Sequence, residues 1–335
     1  MKQQMSSRER FLTALHRGQP DRVPWLEGYI HQSLADRIVG RRTILPQGWC
    51  ISPDVYDILC LDAIVYDFLP PIFATMERHG DVLQVKEPLL KSKDDLKALK
   101  EFLPDPDKPE FYTSASELLA FARQRDLAAI AAVRLGVSNT YNSMGYDNFC
   151  YALYDDPEFI LESMEIYGEW CIKVITHVNE MGFDAIWISE DIAFKWGPMF
   201  SPEQFRKYML PHEKKVADYI ALPKIYHTDG NPLLLLPDLL TLNINALANL
   251  EHGAVDIFKV KEEYGNKICL IGNIDLHYTL PEGTPEETVL ETKEKIERVG
   301  KGGGYIIASS NGLTEYCKVE NILALNGAIL RYGWY

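Results

Sequence analysis

Eight short apolar runs recur along the chain, and nearly every one stops in a cluster of polar, ionisable residues. The early runs are Val23-Pro24-Trp25-Leu26 before Glu27, Ala63-Ile64-Val65-Tyr66 before Asp67, Ala129 to Val133 before Arg134, and Ala185 to Ile188 before Ser189-Glu190-Asp191. The later ones are Lys224-Ile225-Tyr226 before His227-Thr228-Asp229, Ala246 to Leu250 before Glu251-His252, Ile268 to Ile271 before Gly272-Asn273-Ile274-Asp275, and Tyr305 to Ala308 before Ser309-Ser310-Asn311. A parallel strand buried on both faces reads as a continuous apolar run. Many such strands with polar C-terminal ends predict a (β/α)8 barrel whose chemistry sits at that rim.

Length and composition agree. The chain has 335 residues, enough for one elaborated barrel, and is read as a single domain over 1–335. A net charge of −14 argues against a nucleic-acid binder, which would show a basic face. No run approaches the roughly 18 apolar residues that span a membrane. Met1 to Arg10 is polar, without the apolar centre of a signal peptide, so a cytoplasmic location is expected. The six cysteines are scattered without a CxxC, and Cys171 and Cys269 sit in apolar runs, which predicts buried thiols rather than disulfides.

Helix signals fall between the runs. Ser6-Ser7-Arg8-Glu9 is a capping-box pattern opening a helix that ends near Gly18. Ser201-Pro202-Glu203-Gln204 and Thr284-Pro285-Glu286-Glu287 repeat the logic, and Asp256 to Tyr264 reads as a short helix stopped by Gly265. Residues 32–60 and 68–128 hold long connections rich in Pro, Asp and Lys, read as insertions over the rim that shape the pocket.

The rim residues carry the chemistry. His227 and Asp229 lie two apart at a strand end, so both side chains point the same way and can hold a metal or form an acid–base pair. In Ser189-Glu190-Asp191 one carboxylate enters the mouth and the other caps or pairs; Glu190 is taken as the functional one. Glu251 is a further candidate oxygen ligand. Arg134 is a candidate carboxylate clamp. Tyr29, Asp67, Asn273 and Asn311 are candidate substrate contacts, with His31 and Tyr141 behind them, and Cys317 is a thiol near the last strand. No GxxxxGK[ST] loop, GxGxxG fingerprint after a first strand or GxSxG elbow is present, which lowers the weight of nucleotide hydrolysis, dinucleotide redox chemistry and serine hydrolysis.

Ser7-Arg8-Glu9-Arg10-Phe11 through Pro20-Asp21-Arg22-Val23-Pro24, Gly182-Phe183-Asp184-Ala185, Ser201 to Phe205, His227 to Asn231, Gly272 to Asp275, Gly303 to Ile306 and Glu320-Asn321-Ile322 together resemble the uroporphyrinogen decarboxylase superfamily over essentially the whole chain. The resemblance implies a (β/α)8 barrel and two activities: cofactor-free decarboxylation, or methyl transfer to or from a corrinoid protein, usually zinc-assisted. The decarboxylases carry an Arg-rich segment after the first strand; here it reads Trp25 to His31 with no Arg, and Asn311 stands where they place a His. The thiol methyltransferases use a His-x-Cys pair and a later Cys; here these are His227, Asp229 and Asn311, so thiolate ligation is lost unless Cys317 substitutes.

An oxygen- and nitrogen-ligated zinc, held by His227, Asp229 and Glu251 or Glu190, suits polarisation of an ether or alcohol oxygen. The expectation is therefore a demethylase component that moves a methyl group from a small O- or N-methylated substrate to a corrinoid carried by a partner protein. His227, Asp229 and Glu190 are its catalytic residues, and a homodimer is compatible with it. The alternatives are a carboxy-lyase acting on a smaller acid, and a barrel that only binds.

Overall fold

The computed structural model describes residues 4–79 and 82–335; Met1 to Gln3, part of the polar N-terminal stretch, lie outside them. Its frame is a curled parallel sheet in the order β1 (Ala63–Asp67), β4 (Ala128–Val133), β5 (Ala185–Ser189), β8 (Lys224–His227), β9 (Ala246–Ala248), β10 (Cys269–Ile271) and β11 (Tyr305–Ile306). The first apolar run closes it. Trp25 bridges Ile307 in parallel, the Leu26 amide donates to the Ile307 carbonyl at 3.1 Å, and the Asp62 amide donates to the Trp25 carbonyl at 2.9 Å. The run around Trp25 therefore lies between β11 and β1 as an eighth stave, held by bridges rather than by a continuous ladder.

Alternation along the strands separates two cores. Ala63, Val65, Ile130, Ala132, Ala185, Trp187, Ile225, Ala246, Ala248, Ile306 and Ala308 fill the barrel interior. Ile64, Tyr66, Ile186, Ile188, Tyr226 and Leu247 face the surrounding helices. Small residues dominate inside because opposing strands converge there.

The helix Ser7–Leu15 plugs the N-terminal end. Its Phe11, Ala14 and Leu15 join the interior core, and its Arg10 pairs with Asp21 at 2.7 Å and Asp62 at 2.6 Å. It starts on the predicted capping box, Ser6 with Glu9, but ends at Leu15 rather than near Gly18, because Arg17 turns left-handed with φ 65°. The helix Pro285–Arg298 starts on the Thr284–Glu287 box, and Asp256 caps the helix Ile257–Tyr264.

The segment 68–128 departs from the expected pocket wall. It forms an antiparallel ribbon, β2 (Ala74–His79) with β3 (Val82–Pro88), and the helices Leu96–Phe102 and Thr113–Gln124. Leu118, Leu119 and Ala122 of the last helix bury in the outer core, so this stretch supplies the first helical layer of the barrel. Among the described residues of the two long connections, only Cys50 and Leu69 reach the central cavity. Beyond β5 a small hairpin, β6 (Ala193–Phe194) with β7 (Gly197–Pro198), leans over the rim. All six cysteines are free thiols, with Cys171 and Cys269 buried. Among the described residues no helix is long and apolar enough to cross a membrane.

Candidate active site at the C-terminal rim

Strand alternation aims the rim residues. His227 shares the inward parity of Ile225, and Asp229 follows two residues on. His227 Nε2 lies 3.8 Å from an oxygen of Asp229 and 3.8 Å from one of Asp191. One ligand atom from each of the three residues lies within 4.8 Å of the others. These separations are too long for hydrogen bonds and surround a space lined by one nitrogen and two oxygens.

The cluster is supported from several sides. Asn311 donates its amide to both oxygens of Asp229, at 3.0 and 2.9 Å. The Asn311 carbonyl in turn accepts from the Asn249 side chain at 2.9 Å. The Trp187 ring packs on the His227 imidazole with centroids 5.5 Å apart. Glu251 accepts the Gly230 amide at 2.9 Å, next to Asp229. Burial pushes the Asp229 carboxyl above its ordinary range; His227 pulls it back, while Asp191 and Glu251 push it further.

Two cavities meet here. An inner well of about 200 Å³ is lined by Asp67, Trp187, His227 and Asn249 among others. An outer vestibule of about 470 Å³ is lined by Asp229, Glu251, His277 and Tyr316 among others. Tyr29 and Asn311 line both. Asp67 is exposed where it opens onto the well, with protein packed closely around its other sides. That enclosure raises its carboxyl, while the Leu69 amide and then Arg134 draw it back.

Other sequence candidates have different places. Glu190 has the outward parity of Ile188 and is fully buried. One of its oxygens accepts the amides of Leu135 at 2.6 Å and Gly136 at 3.0 Å; the other accepts the Ser138 amide at 2.7 Å and the Ser138 hydroxyl. It clamps the loop after β4 and is not in the mouth. Its neighbour Asp191 takes the place facing His227. Arg134 spends its Nε on the Ser189 carbonyl at 3.1 Å and lines neither cavity.

Asn273 is buried, donates to the Leu250 carbonyl at 2.6 Å, and lines a separate flanking cavity with His252 and Lys295. His31 caps the helix Gln32–Val39, and the Tyr141 hydroxyl donates to the Asp191 carbonyl at 3.0 Å. Ser309 is held by Glu27, and the Ser310 hydroxyl donates to the Ile274 carbonyl at 2.9 Å. Cys317 is fully buried against Thr314, and burial raises its thiol. Sequence reasoning passed over Trp187 and Asn249. The position of Asn249, just past the end of β9, was the available signal.

The pattern of the uroporphyrinogen decarboxylase family matches residues 75–332. The chain belongs to the uroporphyrinogen decarboxylase family. Within that family it is similar to methyltransferases and decarboxylases alike. It is 26% identical over 167 residues to a methylcobamide:CoM methyltransferase of Methanosarcina barkeri, covering 50% of this chain and 47% of that protein. It is 22% identical over 254 residues to a uroporphyrinogen decarboxylase of Methylococcus capsulatus, covering 69% and 67%. The matched region spans about a third to a half of the length of methyltransferase relatives such as these. Among solved structures, a methyltransferase from Methanosarcina mazei superposes with a TM-score of 0.77 at 18% identity, covering 98% of this chain and 99% of that one. This likeness establishes the family barrel, with the rim just described at its open end.

Proposed function

We propose that the protein is a corrinoid-dependent methyltransferase that takes a methyl group from a small methylated compound at the rim and passes it to a corrinoid carried by a partner protein. The observation that carries this reading is the Asp191–His227–Asp229 cluster between the well and the vestibule. Several relatives are methylcobamide:CoM methyltransferases, which supports corrinoid-linked methyl transfer; in those proteins the methylcobamide is the donor, whereas the reading here runs the transfer toward the corrinoid.

The cluster fits a divalent cation. An imidazole and two carboxylates are the donor set of zinc or a harder ion, and His227 Nε2 lies 3.8 Å from each carboxylate, a separation that one ion could bridge. Such an ion would supply Lewis acidity to the leaving heteroatom of the substrate. The residues do the rest. Asn311 fixes both Asp229 oxygens, Trp187 fixes the plane of His227, and Glu251 anchors the Gly230 turn beside them. The helical plug at the opposite end leaves the rim as the approach for donor and acceptor.

The metal-independent carboxy-lyase alternative needs a side-chain cation to grip a carboxylate. Among the described residues, no Arg or Lys lines the well or the vestibule.

The test is metal content of protein purified without added metal, together with the absorbance of a reduced corrinoid protein mixed with methyl donors. Near one divalent ion per chain, lost in Asp191→Asn and His227→Ala, with a donor-dependent spectral change, is the expected result. A metal-free wild type that leaves the corrinoid spectrum unchanged with every donor would sink the proposal.

A further inference from the structure

Asn249 and Asp67 bring hydrogen-bond acceptors to the inner well. The Asn249 side chain has its amide nitrogen committed to Asn311, which fixes the orientation of the group; its Oδ1 is buried without a partner. Asn249 is only 2% exposed, so bulk water does not satisfy that oxygen. Asp67 adds a carboxylate open to the same well, with one oxygen taken by the Leu69 amide at 2.7 Å. His227 lines the well too; with its Nε2 turned to Asp191 and Asp229, its buried Nδ1 carries the ring proton and adds no acceptor. Asp229 and Glu251 add two more carboxylates in the vestibule, and no Lys or Arg lines either space among the described residues.

An unpaired buried acceptor costs free energy that only a donor can recover. An anionic head group in the well would meet the Asp67 carboxylate, and Arg134, though its charge acts on Asp67, does not line the well. The well, at about 200 Å³, is also below the usual size for drug-like ligands. We infer that the site selects a small, non-anionic methyl donor that brings its own hydrogen-bond donor, a hydroxyl or an ammonium, to Asn249 and Asp67. This inference rests on the methyl-transfer reading of the same site. In that setting the second group of the substrate sits in the well while its methylated heteroatom faces His227. When the bond from methyl to heteroatom breaks, its electron pair stays on the heteroatom and the methyl passes to the reduced corrinoid. The well therefore sets which leaving group is held, and Asn249 and Asp67 are specificity determinants.

A matched series separates the contributions. 2-Methoxyethanol carries a hydroxyl, 2-methoxyethylammonium an ammonium, 1,2-dimethoxyethane no donor, and methoxyacetate an anion. Binding of each to the full chain stripped of metal, so that no ion can ligate the carboxylate, is followed by ligand-observed NMR, without any corrinoid. The expected result is that at least one donor-bearing compound binds about tenfold or more tightly than 1,2-dimethoxyethane, with methoxyacetate weakest. Asp67→Asn should shrink the ammonium preference and leave the hydroxyl preference in place. Equal affinity for 1,2-dimethoxyethane, tighter binding of methoxyacetate, or no binding by any of the four would overturn the inference. The outcome is independent of turnover: donor-bearing compounds that bind but never yield a methyl group to a corrinoid protein would refute the transferase reading and leave the selectivity standing.

Discussion

Glu190 and Asp191 are adjacent carboxylates with opposite tasks, and one pair of substitutions separates them. Glu190→Gln keeps the shape but turns one oxygen into an NH2 group. Whichever way the amide sits, one pair of donors loses its acceptor, either the Leu135 and Gly136 amides or the Ser138 amide and hydroxyl. A buried amide left unpaired costs about 1–3 kcal/mol, and the surviving bonds each lose roughly 1 kcal/mol as they fall from charge-assisted to neutral strength. Relief from burying a charge offsets part of this, for a net loss of about 2–4 kcal/mol. Asp191 is 36% exposed and accepts one long bond, from the Asp229 amide at 3.3 Å, so Asp191→Asn should change stability by under about 1 kcal/mol. Urea unfolding followed by tryptophan fluorescence and circular dichroism measures both, with midpoints compared at equal slope. Metal content supplies the complement, because only the Asp191 variant should lose the ion while folded. A Glu190→Gln protein with the wild-type midpoint, or an Asp191→Asn protein equally destabilised, would refute this division of roles.

Other tests are independent of that pair. Glu27 is fully buried, and burial pushes its carboxyl up to about 7 against the pull of Ser309 and Trp25. Its folded pKa lies above its unfolded value, so the folded state binds the extra proton and stability falls as pH rises from about 4.5 to about 7. The unfolding free energy of wild type minus that of Glu27→Gln should drop by about 3 kcal/mol across that window and stay flat above it; a flat difference throughout would contradict the burial argument. Gly230 has φ 75°, and an added Cβ would lie 2.5 Å from the Phe194 backbone. Gly230→Ala should therefore displace the β6–β7 hairpin and cost at least about 1–2 kcal/mol, checked by unfolding and by proteolysis at the Lys195 peptide; an unchanged midpoint would refute it.

The barrel was readable because its strands are short apolar runs with polar ends. The run around Trp25 was legible as a stave even though it makes only bridges, because burial on both sides demands the same composition as a full strand. The His227–Asp229 pair was legible for a related reason: two residues at a strand end share a side whatever the rest of the fold does.

What the chain alone left open was which side of each strand is the inside. Both faces of these strands are apolar, so parity has no label in the sequence. Ile186 and Ile188 point to the helices and Trp187 points to the barrel axis; that single assignment sends Glu190 into the loop clamp and Asp191 into the mouth. The same limit applies to Asn249 and Asn311, which are 62 residues apart and meet only when the barrel closes. The sequence determined the ring of strands and the end at which polar residues gather. The tertiary structure decided which of those residues face one another, because contacts across a closed barrel depend on strand tilt and register, and no local pattern encodes either.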